Sequence, residues 1–169
     1  MLNNTQMKLY QAELANSLSQ GCPELCWALL ICGKPLLSGP VNRAMELSRS
    51  QTADDGAPFI PLSEQQARSS AWEASAVLLF PKLERWRMNF VMEHASILSY
   101  SLPIHNSNGQ RITDPRELET GPLWHIVNNA GPRFSPEEVA QTRLCRDVRN
   151  LIAHNQLVTP EQIQAVLDL

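Results

Sequence analysis

The sequence predicts an all-α fold, on three observations. Helix-start signals recur along the chain, each a Ser or Thr followed three residues later by Glu or Gln. Between them apolar residues return at helical spacing, and no stretch alternates apolar and polar residues as a half-buried strand would. No Gly-rich phosphate loop and no internal repeat is present.

A first helix is expected over about Thr5 to Gln20, carrying Leu9, Leu14 and Leu18 and stopping at Gly21. A second, about Pro23 to Cys32, is apolar nearly all round, which predicts a central position, and ends at Gly33. A third begins near Pro40 and runs through VNRAMELSRS, and residues 51–62 (QTADDGAPFIPL) read as a loop. Ser63 opens the longest helical region as N-cap, with Gln66 at N3 bonding back to it. That region continues to about Leu102, and Pro81 is expected to kink or break it, because proline lacks an N–H and clashes with the preceding turn. Residues 103–122 (PIHNSNGQRITDPRELETGP) are polar, rich in turn formers, and read as an irregular crossover.

The two C-terminal helix starts are the best marked. In RFSPEEV, Ser135 is N-cap, Pro136 sits at N1 and Glu138 at N3, while Phe134 and Val139 form a hydrophobic staple. LVTPEQI repeats the grammar with Thr159, Pro160 and Gln162, and with Val158 and Ile163 as staple. The expected architecture is a helical bundle with a long, kinked central helical region and a separate helix near the C-terminus.

Composition narrows the function classes. A chain of 169 residues, 43% hydrophobic, suits a single globular domain over 1–169 that buries its own core. A net charge of −3, with 14 Lys+Arg against 17 Asp+Glu, argues against a broad basic surface for sequence-independent duplex binding, and leaves room for a local RNA site. Arginine outnumbers lysine 11 to 3, a skew that phosphate-binding forks and genomic GC bias both produce. Cys22, Cys26, Cys32 and Cys145 lack metal-ligand spacing and a nearby histidine, so they read as buried small hydrophobes, and no metal or cofactor is expected. M-L-N-N-T-Q shows no charged start before an apolar core, and the longest apolar run, LCWALLIC, is far below the ~20 residues of a spanning helix. A cytoplasmic protein with no membrane association is expected.

The stretch RDVRNLIAHNQ, residues 146–156, carries the candidate chemistry. On a helix from Pro136 to about Asn155, turning about 100° per residue, Leu144, Cys145, Leu151 and Ile152 lie within about 60° of Val148 and define a core stripe. Arg149 lies about 100° to one side of it and His154 about 120° to the other, with a rise of ~7.5 Å between them. Arg146, Asn150 and Ala153 occupy the face opposite the core. Arg149 and His154 therefore do not meet within one chain. A second copy of the same helix across a two-fold axis would bring both pairs into one cleft, with the small Ala153 permitting close approach.

Arg149, Asn150 and His154 in R-N-L-I-A-H match the signature of the HEPN superfamily, an Arg followed by a polar residue and a His after a short spacer. The strongly capped start before the motif and the short closing helix after it resemble the C-terminal part of HEPN domains in CRISPR-associated type III accessory ribonucleases. CWALLICGKPLLSGPVNRAMELS in the N-terminal third is similar to those proteins too, less specifically. The resemblance implies an all-helical HEPN domain, a homodimer, and metal-independent endonuclease action on single-stranded RNA leaving 2′,3′-cyclic phosphate ends, in antiviral defence or toxin biology. Those relatives carry a Rossmann-like sensor of cyclic oligoadenylate ahead of the HEPN domain. Nothing in 1–169 resembles that sensor, so the chain reads as an effector part or as a stand-alone relative.

The residue types fit that chemistry. An imidazole can both accept and donate a proton near neutral pH, which suits the proton transfers expected of His154. The Arg149 guanidinium can hold non-bridging oxygens and the charge that grows on them. Asn150 could orient the imidazole or bond the phosphate, and Arg146, one turn earlier, could extend the phosphate contact. A second Arg–His spacing, Arg87-x6-His94, is followed by Met88 and sits among apolar residues, which predicts packed side chains with polar tips at the surface. His125 is expected to pack beside Trp124, and His105 lies in a polar loop. Trp27, Trp72, Trp86 and Trp124 read as core filling. The alternative functions are a non-catalytic HEPN-like module binding a partner protein or nucleic acid, as in a toxin–antitoxin pair, and a helical recognition domain with a coincidental motif.

Overall fold

The computed structural model describes residues 5–50, 52–53, 55–106 and 108–169. Four helices come first, α1 (Thr5–Leu18), α2 (Pro23–Ile31), α3 (Lys34–Ser38) and α4 (Pro40–Ser50). The long α5 (Glu64–Glu93) and short α6 (Ala95–Ser99) follow. A two-stranded hairpin, β1 (Ile104–His105) and β2 (Arg111–Ile112), then leads through a 3-10 turn at Pro115–Glu117 to α7 (Thr120–Asn129). A second 3-10 turn at Gly131–Arg133 precedes α8 (Pro136–Ala153) and α9 (Pro160–Leu167). The fold is all-α, and among the described residues no helix is long and apolar enough to cross a membrane.

The helix starts form by local chemistry. At α5, Ser63 Oγ accepts from the Gln66 N–H at 3.2 Å, and Gln66 Oε1 accepts from the Ser63 N–H at 3.0 Å. Ser135 with Glu138 and Thr159 with Gln162 close the same reciprocal pair at α8 and α9, satisfying backbone donors that have no partner inside the helix. Phe134 and Val158, just outside those two starts, are buried.

Helix α5 is the spine of the molecule, 30 residues and so about 45 Å long. It joins two apolar clusters. The larger gathers Leu14 and Leu18 of α1, Leu29 of α2, Leu36 of α3, Leu79 and Leu83 of α5, Cys145 and Val148 of α8, and Val166 of α9. The smaller holds Phe90, Val91, Leu98, Ile112, Leu118, Leu123, Val127 and Phe134, and Trp86 packs against both. The Tyr10 hydroxyl meets Ser75 Oγ at 3.0 Å, and Lys82 Nζ donates to Gln6 Oε1 at 2.8 Å and to the Leu167 carbonyl, which binds α1 and α9 to this spine.

Several expectations change. Pro81 does not end the helix, because the carbonyl it leaves without a donor belongs to Val77, and both residues face solvent. The interruption in the helical region comes at His94, where φ −104° and ψ 16° leave helical geometry before α6. Helix α2 is not central: Leu25, Ala28 and Leu29 are buried, but Trp27 is 66% and Ile31 69% exposed, so Trp27 does not fill the core. The crossover region contains the small hairpin and the first turn of α7, whose Pro122 sits where a missing N–H costs no intrahelical bond. His125 on α7 is exposed, its carbonyl accepting from Asn129 Nδ2 at 2.7 Å, and it does not pack into the core.

The side chains of Arg87 and His94 are both engaged within the fold. Arg87 pairs with Glu84 at 2.9 Å and donates to the carbonyls of Leu118 at 2.9 Å and Arg116 at 3.3 Å, latching the 3-10 turn onto α5. His94 lies against Phe90 and Phe134, with ring centroids 4.5 and 5.2 Å away, and its Nε2 meets Glu138 Oε1 at 2.9 Å.

Glu138 therefore caps α8 with one carboxylate oxygen and pairs with His94 through the other. Its carboxyl is held below the ordinary glutamate range, first by the Ser135 backbone N–H and side chain, then by His94. A depressed carboxylate contributes stability in full above its unfolded value near ~4.3 and loses it as pH falls through the lower folded value. Glu138→Ala should cost about 1–2 kcal/mol at pH 7 in urea denaturation. The gap from the unsubstituted protein should narrow below about pH 4. A gap that is the same at pH 7 and pH 3 would remove the ionised carboxylate from the account.

Candidate functional site

The motif helix α8 runs antiparallel to α7, so that the start of α7 faces the end of α8. Thr142, Cys145, Val148 and Ile152 are buried along its inner side. The Cys145 thiol, pushed up to about 12 by burial, stays protonated and is an apolar core group. Cys22, Cys26 and Cys32 are free and half-buried. Among the described residues no group of three His, Cys, Asp or Glu side chains is placed to share a metal ion.

The three motif residues divide between the two flanks as the helical spacing requires. Arg149 is half-buried on the α7 side, where its guanidinium lies 3.8 Å from Glu119 Oε2, the residue just before α7. Asn150 and His154 are exposed, and among the described residues neither side chain has a hydrogen-bond partner. No contact joins Arg149 to His154 within the chain.

Arg146 is less free than the helical wheel suggests. Its guanidinium carbon lies 3.8 Å from the centre of the Trp124 ring on α7, and its Nε donates to Asp147 Oδ1 at 2.8 Å. Asp147 also lies 3.7 Å from Arg143. A cation over an indole face is electrostatically favourable and fixes the guanidinium plane. Arg146 thus joins α7 to α8, and a phosphate reaching it must compete with Asp147. Trp124 Nε1 is buried and, among the described residues, has no hydrogen-bond partner, a group that the wheel of α8 could not reveal.

The end of α8 explains how His154 is held. His154 is the C-cap, at φ −102° and ψ 19°, and its backbone N–H donates to the Asn150 carbonyl at 3.0 Å. Asn155 follows at φ +55°, in the left-handed region that Asn tolerates better than most side chains. The Asn155 N–H donates to the Ile152 carbonyl at 3.2 Å and the Gln156 N–H to the Leu151 carbonyl at 2.8 Å, a Schellman closure. The Ile152 carbonyl accepts a further bond, from Trp72 Nε1 of α5 at 2.8 Å. Sequence reasoning missed both Trp72 and Asn155. An Asn directly after the last periodic residues is a helix-stop signal, so Asn155 was readable, whereas the Trp72 bond crosses 80 residues of chain.

Comparison with protein-family models, with curated proteins and with solved structures gives no match to this chain. The functional reading accordingly stands on the motif and on this geometry.

The tether from α5 has a measurable consequence. Trp72→Phe keeps an aromatic ring but removes the indole N–H together with the pyrrole part of the ring, and should cost about 1–3 kcal/mol. Amide exchange at Asn155 and Gln156 should accelerate in that variant while exchange in the middle of α8 stays slow. Unchanged exchange at the helix end would show that the Schellman closure holds His154 without help from α5.

Proposed function

We propose that this protein is a metal-independent endoribonuclease of the HEPN type, cutting single-stranded RNA at a site completed by two copies of α8. The observation that carries the reading is the placement of His154: a solvent-facing imidazole, unpaired among the described residues, on a helix end that a Schellman closure and the Trp72 indole both fix. Asn150 lies one turn earlier on the same exposed side, and Arg149 flanks it against Glu119. An ion pair at 3.8 Å with a largely exposed carboxylate is weak, so an incoming phosphodiester can displace Glu119 from Arg149.

In this reading the RNA supplies its own nucleophile. The 2′-oxygen attacks the adjacent phosphorus, the P–O5′ bond breaks, and a 2′,3′-cyclic phosphate and a 5′-hydroxyl result. His154 of one copy accepts the 2′-OH proton and His154 of the other donates to the leaving 5′-oxygen. Arg149 stabilises the charge on the non-bridging oxygens, which is where a bidentate donor is worth most. Asn150 bonds phosphate or ribose, and Arg146 steadies the α7–α8 pair and reaches phosphate only when Asp147 yields. Cytoplasmic action on RNA in antiviral defence or toxin biology belongs to the same proposal.

One observation favours a second reading. Arg146 and Arg149 each already have a carboxylate beside them, as they would in a non-catalytic HEPN-like module that binds a partner through other surfaces. Such a module would fold normally and cleave no RNA at any protein concentration.

Arg149→Ala and His154→Ala should each reduce cleavage of a single-stranded RNA at least about 100-fold. His125→Ala should cut at the unsubstituted rate, and EDTA should have no effect. Cleavage that EDTA abolishes, or a His154→Ala protein of full activity, contradicts the mechanism.

A further inference from the structure

Beside the end of α8 lies a surface groove of about 610 Å3 that the motif does not account for. Its wall is the first part of α5, with Glu64, Gln65, Arg68, Ser69 and Trp72, and Asn155 closes it one residue beyond His154. The volume lies within the range of about 300–1,000 Å3 typical of small-molecule sites. We infer that this groove binds one nucleotide of a single-stranded RNA, adjacent to the nucleotide whose phosphate lies at His154. The inference rests on the ribonuclease reading above, and extends it to a binding subsite.

The lining matches that ligand group by group. Trp72 is half-buried and lines the groove, and its N–H bond to the Ile152 carbonyl fixes the ring, so a base that stacks on it meets a rigid platform. Base–aromatic stacking requires an unpaired base, which selects single strands over duplex. Arg68 Nε donates to Glu64 Oε1 at 2.8 Å across an exposed ion pair, so the guanidinium is already held at the groove and a phosphate need only replace one carboxylate. Gln65, Ser69 and Asn155 are exposed, and among the described residues their side chains make no hydrogen bond, which leaves donors and acceptors for a base edge or a ribose hydroxyl. Trp72 and Asn155 meet at the Ile152 carbonyl, so the same contact that fixes His154 also shapes the groove. A strand lying across the end of α8 would pass from one to the other.

Glu64 gives the proposal a sign that a merely positive surface would not share. Removing its charge frees Arg68, whereas removing Arg68 leaves a carboxylate facing the strand. The probe is a fluorescently labelled ten-nucleotide RNA of mixed sequence with 2′-O-methyl groups, which block the nucleophile, and binding to the full chain is read by anisotropy. Arg68→Ala should weaken binding roughly three- to tenfold and lower the salt slope by about 0.7. Glu64→Gln should tighten it about two- to fivefold, and Trp72→Leu should weaken it roughly tenfold. Arg68 and Glu64 are exposed surface positions, so their variants report on binding even if Trp72→Leu folds poorly. A duplex of the same sequence should be indifferent to all three substitutions. Arg68→Ala and Glu64→Gln chains that bind like the unsubstituted one overturn the subsite. The ribonuclease reading survives that result if Arg149→Ala and His154→Ala still abolish cleavage of ordinary RNA. An unsubstituted chain that does not bind the probe overturns the subsite as well, and failure to cleave ordinary RNA sinks the ribonuclease reading separately.

Discussion

Helix α5 grips α8 at both ends, and the candidate site depends on that grip. Near one end of α5, Trp72 donates to the Ile152 carbonyl at the close of α8, and just past the other, His94 pairs with Glu138 in its first turn. Each contact uses a group that the end of a helix leaves available, a carbonyl at the C-terminus and a capping carboxylate at the N-terminus. The apolar stripe of Cys145, Val148 and Ile152 fills the interval and sets the rotation of α8 about its axis. Position and rotation together decide which motif residues reach solvent.

With α8 so oriented, α7 covers one flank and leaves the other open. Arg146 is stacked over Trp124 and Arg149 leans toward Glu119, both on the covered flank, while Asn150 and His154 face outward. Arg146 gains a fixed position, Arg149 has only a weak ion pair with Glu119, and the histidine keeps an open approach. This division leaves the imidazole accessible and separates Arg149 from His154 within one chain, so in the proposed ribonuclease a second copy supplies the cation and the imidazole to one phosphate.

Much of the fold was legible because helix starts are local. Ser63, Ser135 and Thr159 each satisfy backbone donors within three residues, so their chemistry lies in a short string of sequence. Helix α3 escaped because KPLLS, between Gly33 and Gly39, is too short to show a period. Helix α7 escaped because Gly121 and Pro122 read as turn residues, although proline is tolerated in a first turn. The exposure of Trp27 was hidden because α2 is apolar on every side, so no polar stripe marks the face turned to solvent. At the site, the wheel placed Arg149, Asn150 and His154 correctly relative to the core. It could not show that α7 covers the Arg146 flank or that Trp72 reaches the end of α8, since both depend on contacts far apart in sequence.

The central claim is that one chain presents half a site, and its most direct test is RNA cleavage per chain as a function of protein concentration, with the oligomeric state followed by sedimentation over the same range. Cleavage per chain should rise with the dimer population and vanish where the protein is monomeric. Cleavage per chain that stays constant down to concentrations where only monomer sediments would contradict the account.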